Sequence, residues 1–255
     1  MRLRSLTKHI REQNWFAVGI DFFIVVIGVF IGIQVANWNE ARAEKQLGQA
    51  YTQRLITDLE RDVAATRSLK SYYADVLESV EEADRLLATS DPDIRALVIA
   101  TYRASEFNDN PPSTATWDEI VSSGHLKLLP AGAVEGGLGE YYKFSERQTA
   151  SADIRTSDYR KTVRSLIPLS VQLAIRQGCS DIYDETYIAI GFIADCDIGV
   201  EEGILLDVAE TLRASEELKQ SLRHQYSLVA FVQANNDGDI ALAQQALDAL
   251  QRPAK

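Results

Sequence analysis

The sequence predicts an all-α protein: one N-terminal transmembrane helix continuing into an elongated extracytoplasmic helical bundle. Three observations carry this expectation. Residues 15–38 form an apolar stretch with a tryptophan at each end. No proline occurs from Glu40 to about Ala88, and apolar residues recur there at helical spacing. Strand-like alternation is nearly absent elsewhere.

The span comes first. Between Trp15 and Trp38 lie 22 residues, about 33 Å of helix at ~1.5 Å per residue, against a bilayer core of ~30 Å. Trp15 and Trp38 are read as interface anchors, because an indole combines an apolar ring with an N–H that seeks water. Arg2, Arg4, Lys8 and Arg11 precede the span, whereas only Arg42 and Lys45 follow it closely, beside Glu40 and Glu44. The positive-inside rule then makes residues 1–14 a short basic cytoplasmic tail, 15–38 the span, and 39–255 an extracytoplasmic domain. A cleaved signal peptide is the competing reading: Phe22–Ile33 has the length of its apolar core, and Ala41-Arg42-Ala43 formally matches a cleavage site. The long charged leader and the distance of that match from the apolar run favour a retained span.

Within the span, Asp21 lies a few residues past the first anchor, where an ionised carboxylate costs a few kcal/mol unless solvated or paired. Two readings stay open: a partner contact or proton-linked group, and a headgroup-level carboxylate reaching water, Lys8 or Arg11. Gly28 and Gly32 form a G-x-x-x-G, a spacing that lets two helices approach closely. Together with Gln34 these residues are the expected intramembrane contact set.

Beyond the span, Leu55, Leu59 and Val63 recur at steps of four, and Leu69, Tyr73, Val76, Val80, Ala83 and Leu87 follow a heptad-like 4–3 alternation. This predicts one long helix that T-S-D-P ends. Asp91 and Pro92 suit the start of a helix running to about Ser105, and F-N-D-N-P-P-S-T reads as a loop. Thr116 and Glu119 fit a capping box, and Gly124 fits the helix end. A longer helix is expected over Ala133–Arg147, continuing as far as Gln177 with Pro168 at a kink or junction. Gly203–Arg213 and Ser215–Asn235 read as helices and N-N-D-G-D as a turn. A last short helix then has Ile240, Ala243, Leu247 and Leu250 on one face. I-A-I-G-F-I-A is the best candidate for a short β element.

Cys179 and Cys196 are the chain's two cysteines, and in an oxidising compartment a close pair reads as a disulfide. The chain carries a net −11, and only four of its 26 basic and two of its 37 acidic residues precede residue 39, so the following part is the more acidic. Nucleic acid is a poor partner for such a surface, while a solvated exterior is the plainest use of it.

The run I-D-F-F-I-V-V-I-G-V-F-I-G-I-Q-V-A-N-W-N-E resembles the N-terminal hallmark of a large family of uncharacterised bacterial single-span proteins. Its acidic residue, glycine and closing Q-x-x-N-W-N-E correspond here to Asp21, Gly28, Gln34, Asn37, Trp38, Asn39 and Glu40. Many relatives carry Glu where this chain has Asp21. A second stretch, W-D-E-I-V-S-S-G-H-L-K-L-L, is similar to that family's S-S-G-x-L-x-L motif, with Tyr141-Tyr142 in the following helix. The resemblance implies an integral helical membrane protein of bacteria, favours an intramembrane role for Asp21 and transfers no activity. With the orientation read from the basic tail, the expected place is the bacterial inner membrane with the larger domain periplasmic.

No chemistry-bearing constellation stands out. Ser122-Ser123-Gly124-His125 is not G-x-S-x-G, and no zinc, dinucleotide or phosphate-loop pattern occurs. Asp181, Asp184, Glu185, Asp195, Asp197, Glu201 and Glu202 crowd the cysteine loop without the spacing of an EF-hand. The expectation is therefore a non-enzymatic accessory or scaffolding subunit of a membrane assembly. It needs no cofactor or metal; its partners are the lipid bilayer and a membrane protein or further copies of itself, not nucleic acid. The alternative is a ligand-sensing bundle that signals through a partner, which requires a ligand-sized cavity among the helices.

Overall fold

The computed structural model describes residues 15–145 and 150–252, which are almost entirely helical. Arg2, Arg4, Lys8 and Arg11 lie outside the described residues. The chain divides into two compact units, Met1–Ala50 and Tyr51–Lys255.

Helix α1 spans Trp15–Ala88, 74 residues without a proline. Its first part is the described portion of the Met1–Ala50 unit. There every described side chain from Phe16 to Ala43 is exposed, including Phe22, Phe23, Ile24 and Phe30. The described helix from Val18 is long and apolar enough to cross a membrane.

In the Tyr51–Lys255 unit the helical stripe read from the sequence is the buried face. Leu55, Leu59, Val63, Leu69, Tyr73, Val76, Val80, Ala83 and Leu87 are all in the core. Two hydrophobic clusters divide them. Tyr51, Leu55, Leu59 and Val63 pack with Ile120, Leu138, Tyr141, Tyr142 and Leu247. Leu69 to Leu87 pack with α2 (Ile94–Arg103), α6 (Asp158–Leu166), α7 (Leu169–Gly178) and α8 (Glu202–Ala214). The last helix, α9 (Glu216–Gln251, 36 residues), crosses both clusters in the reverse order. Leu218 to Val232 join the cluster of Leu69–Leu87, and Ala243 to Leu250 join that of Tyr51–Val63, so α9 runs antiparallel to α1 within the unit.

Several helix ends differ from the sequence expectation. Asp93, not Asp91 and Pro92, starts α2: its carboxylate accepts from the Ala96 amide at 2.9 Å. The capping box at Thr116 and Glu119 does not form. Helix α3 spans Ala115–Ser122 after Thr114, so Thr116 lies in its first turn and both side chains are spent on α1. Gly124 does end the helix, with a φ of 71° that suits glycine.

The single helix expected from Ala133 is instead a series: a π-type turn at Val134–Leu138, α4 (Gly139–Ser145), α5 (Ala150–Arg155), then α6 and α7. Gly137 breaks the backbone with φ 143°, the Ser157 hydroxyl caps α6 by accepting from the Arg160 amide, and Pro168 separates α6 from α7. N-N-D-G-D is not a turn. Helix α9 runs straight through it, because its side chains have distant partners that outweigh local turn preference: Asn236 is buried, Asp237 pairs with Lys70, and Gln233 donates to the Lys70 carbonyl.

The one sheet among the described residues is a hairpin, β1 (Asp181–Tyr183) antiparallel to β2 (Ala189–Phe192), with the register shifting between Ile182 and Tyr183. It lies between Cys179 and Cys196, which form a disulfide with Cα atoms 5.1 Å apart. Ala189 and Phe192 sit in the core, and Tyr72 meets the Phe192 ring edge-on at 5.1 Å.

Candidate functional site

Two regions hold the residues singled out from the sequence. The first is the exposed apolar part of α1. Trp15 opens the helix, Asp21 and Gln34 are exposed on it, and nothing lies within 4 Å of where a Cβ would stand on Gly28 or Gly32. Trp38 is 63% exposed, with the Arg42 guanidinium 5.8 Å from its ring centroid. Apart from Asp21, Gln34 and Asn37 the stretch from Val18 to Trp38 is apolar or small, a composition that could cross a membrane.

The second region is the W-D-E-I-V-S-S-G-H segment on α1. Helix α3 runs antiparallel to α1, and polar pairs connect the two turn by turn. Tyr51 Oη lies 3.1 Å from His125 Nδ1, Arg54 donates to Glu119 at 2.8 Å, and the Thr116 hydroxyl donates to Asp58 at 2.6 Å. The Ser113 amide reaches both oxygens of Asp62 at 3.2 Å. Tyr141 adds a fourth-turn contact by donating to Asp62 at 2.8 Å, and Trp117 stacks on Tyr142 with centroids 4.8 Å apart and planes 7° from parallel. The motif residues quoted from the sequence thus meet in one place, Trp117 and His125 through α3 and its end, Tyr141 and Tyr142 through α4.

The other half of this ladder, Tyr51, Arg54, Asp58 and Asp62, was not read from the sequence. A signal existed: Asp58 and Asp62 stand four apart beside the apolar stripe of Leu55, Leu59 and Val63, where a carboxylate needs a reason to be. Burial raises the Asp62 carboxyl above its ordinary range, against the hydrogen bonds of Tyr141 and Ser113, which favour the charged form. At the solvent-facing Glu119, the Arg54 hydrogen bond holds the carboxyl below its ordinary range.

The chemistry of the remaining candidates is modest. Ser123 Oγ lies 2.9 Å from His125 Nδ1 but also 2.6 Å from the Glu119 carbonyl. A hydroxyl has one proton, and here the carbonyl takes it, which leaves the ring nitrogen to donate. That arrangement closes a helix end and does not activate a nucleophile. His224 is exposed on α9. Among the described residues no three His, Cys, Asp or Glu side chains converge to hold a metal. Two carboxylates of the acidic cysteine loop are engaged by protein groups. Asp184 accepts from Thr186, from the Ile188 amide and from Ser68, which hold it down to about 2, and Asp197 pairs with Arg95. A cavity of about 40 Å³ lies beside Asp62, and an open groove of about 1060 Å³ runs between α1, α2 and the cysteine loop.

The model of the Family of unknown function (DUF6090) matches residues 21–149. The chain belongs to this family. The DUF6090 match begins at Asp21 and takes in Gly28, Gly32, Gln34, Trp38, all of the α1–α3 ladder and the Tyr141-Tyr142 pair. It stops before the disulfide, α8 and α9. No curated protein and no solved structure matches the chain.

Proposed function

We propose that this DUF6090 member is a non-enzymatic single-pass membrane protein that serves as an accessory or scaffolding subunit of a larger membrane assembly. One observation carries the reading: the exposed apolar part of α1 has more polar and small residues than anchoring needs. Asp21, Val25, Gly28, Gly32, Val35 and Asn39 follow one another at steps of four and three, the spacing of a single helix face. Such a face suits a second helix, whose approach the two glycines permit and whose polar groups can satisfy Asp21.

The basic tail of Arg2, Arg4, Lys8 and Arg11 favours a cytoplasmic N-terminus, with the Tyr51–Lys255 unit in the periplasm of a bacterial cell. The Cys179–Cys196 disulfide suits that oxidising compartment. The ligand-sensing alternative is weaker: the cavity of about 40 Å³ has room for water and not for a metabolite, and the groove of about 1060 Å³ is open to solvent rather than enclosed.

The test is purification of the tagged chain from membranes in a gentle detergent, with mass spectrometry of what accompanies it. A stoichiometric membrane partner or a homo-oligomer, dissolved by Asp21→Leu, supports the assignment. A solitary monomer indifferent to Asp21→Leu counts against it.

A further inference from the structure

The small cavity beside Asp62 has a composition that packing alone does not explain. It lies within the Tyr51–Lys255 unit, where α1, the connection before α3, α4 and α9 meet, and its walls include Asp62, Asn108, Tyr141, Asn236 and Asp239. Asp62 is 5% exposed, and among the described residues no lysine or arginine forms an ion pair with it. The hydrogen bonds it accepts come from the neutral Tyr141 hydroxyl and Ser113 amide. Asn236, on α9 in the same lining, is also 5% exposed, and its amide nitrogen has no hydrogen-bond partner in the protein.

A buried N–H without an acceptor is strongly unfavourable, so the chamber calls for a small acceptor beside Asn236. A water needs about 10–15 Å³ of such space, so 40 Å³ admits more than one. Water can also accept from the Asn236 amide and donate to a carboxylate in the same chain of bonds. No larger polar ligand fits.

Among the described residues, charged groups face Asp62 from α1, the connection and α9, while α5 adds only Ser151 to the wall. Asp58 and Arg61 are on α1 itself, Asp109 is on the connection, and Asp239 is on α9; the facing phenols are Tyr73, Tyr141 and Tyr142. Arg61 points mostly to solvent and toward Asp58, at 3.9 Å.

We propose that this chamber is a hydrated proton-binding site, in which water links the Asn236 amide to the Asp62 carboxyl and Asp62 exchanges a proton with that water. The proton comes from solvent and returns to it, and no other bond is made or broken. Taking it up removes the Asp62 charge from a small space walled by α1, α4 and α9. The site thereby couples ambient pH to how firmly α9 and the Tyr141 segment are held on α1.

The sign follows from burial, which raises the Asp62 carboxyl in the folded protein. The folded state then binds the proton more readily than the unfolded chain. The resulting stabilisation is present below the ordinary carboxylate range and is lost as pH rises through the folded value.

The experiment is urea unfolding of the full-length chain in detergent from about pH 4 to pH 8, with Asp62→Asn and Tyr141→Phe beside the wild type. The unfolding constant of the wild type, relative to Asp62→Asn, is expected to rise with pH by up to tenfold per pH unit across the window of Asp62 titration. Tyr141→Phe removes a donor that favours the charged form, so it moves that window to higher pH. Parallel curves for wild type and Asp62→Asn overturn the proposal.

Difference infrared spectroscopy supplies a second reading should Asp62→Asn fail to fold. A protonated-carboxyl band should grow in on acidification at a higher pH in Tyr141→Phe, and also in Asn236→Leu, which displaces the chamber water. A band that appears at one pH in wild type, Tyr141→Phe and Asn236→Leu alike refutes the hydrated site.

Discussion

Replacing Gly137 with alanine is expected to destabilise the Tyr51–Lys255 unit by about 2–6 kcal/mol, the sum of two effects. Gly137 sits at φ 143°, a conformation L side chains rarely adopt, and holding alanine there costs about 1–3 kcal/mol. A new Cβ would also stand 2.9 Å from Gln245 Cγ and 3.1 Å from both the Ala246 amide nitrogen and the Gln245 carbonyl carbon. The glutamine side chain can swing aside, but the other two atoms are backbone of α9. Moving them pulls α9 off Leu138 and Tyr141, and overpacking of this kind costs about 1–3 kcal/mol. Denaturant unfolding of the full chain, followed by tryptophan fluorescence with Trp117 as the reporter in this core, measures the loss. Gly203→Ala is the control: nothing lies within 4 Å of its Cβ and its φ is not positive, so it should unfold as the wild type does. Equal stability of Gly137→Ala and Gly203→Ala would refute the close approach of the π-type turn to α9.

Three further outcomes are expected. Reduction of Cys179–Cys196, or Cys→Ser at both, should lower stability by about 3 kcal/mol in the chain-entropy picture for cysteines 17 apart, read as a fall in the denaturant midpoint with dithiothreitol. Leu59→Ala, at a position with no exposure, should cost about 2–5 kcal/mol in the same assay, whereas Arg54→Gln, which breaks an exposed pair with Glu119, should leave the midpoint where it is. Asp184 should titrate near 2 by carboxyl NMR, and Ser68→Ala should raise that value. Because the folded carboxyl is depressed, its stabilisation is present above the ordinary carboxylate range and lost as pH falls toward 2, so Asp184→Asn should flatten the acid side of the stability profile.

The parts of the fold written in long, uniform periodicity were legible in the sequence. Leu55 to Leu87 announced a buried stripe because a helix of that length repeats its signal many times, and the cysteine pair announced its own bond. What escaped was set by distant partners. Asn235 to Asp239 carry every local mark of a turn, yet Lys70 and the α1 core hold Asn236 and Asp237 in helix. Thr116 and Glu119 have the spacing of a capping box, yet Asp58 and Arg54 offer them stronger engagements. The motif from Trp117 to Leu129 was visible as a motif, but its counterpart on α1 was not, since Tyr51, Arg54, Asp58 and Asp62 become a set only when α3 lies beside them. The π-type turn has its backbone break at Gly137, and the G-G-L-G run around it was an available sign of a break that the apolar periodicity of the segment obscured. Of the hairpin, the I-A-I-G-F-I-A half was visible because it is apolar, while Asp181–Tyr183 is too short and polar to stand out.

Which side of a membrane the two ends of the chain occupy is the measurement that bears most directly on the proposed role. Single cysteines placed at Ser5 and at Asp248, an exposed position on α9, can be probed with a membrane-impermeant maleimide in intact spheroplasts. Labelling of Asp248→Cys without permeabilisation, with Ser5→Cys labelled only after it, is the expected result for a chain that crosses once with its N-terminus in the cytoplasm. Recovery of the protein in the soluble fraction, or labelling of Ser5→Cys alone in intact spheroplasts, would contradict it.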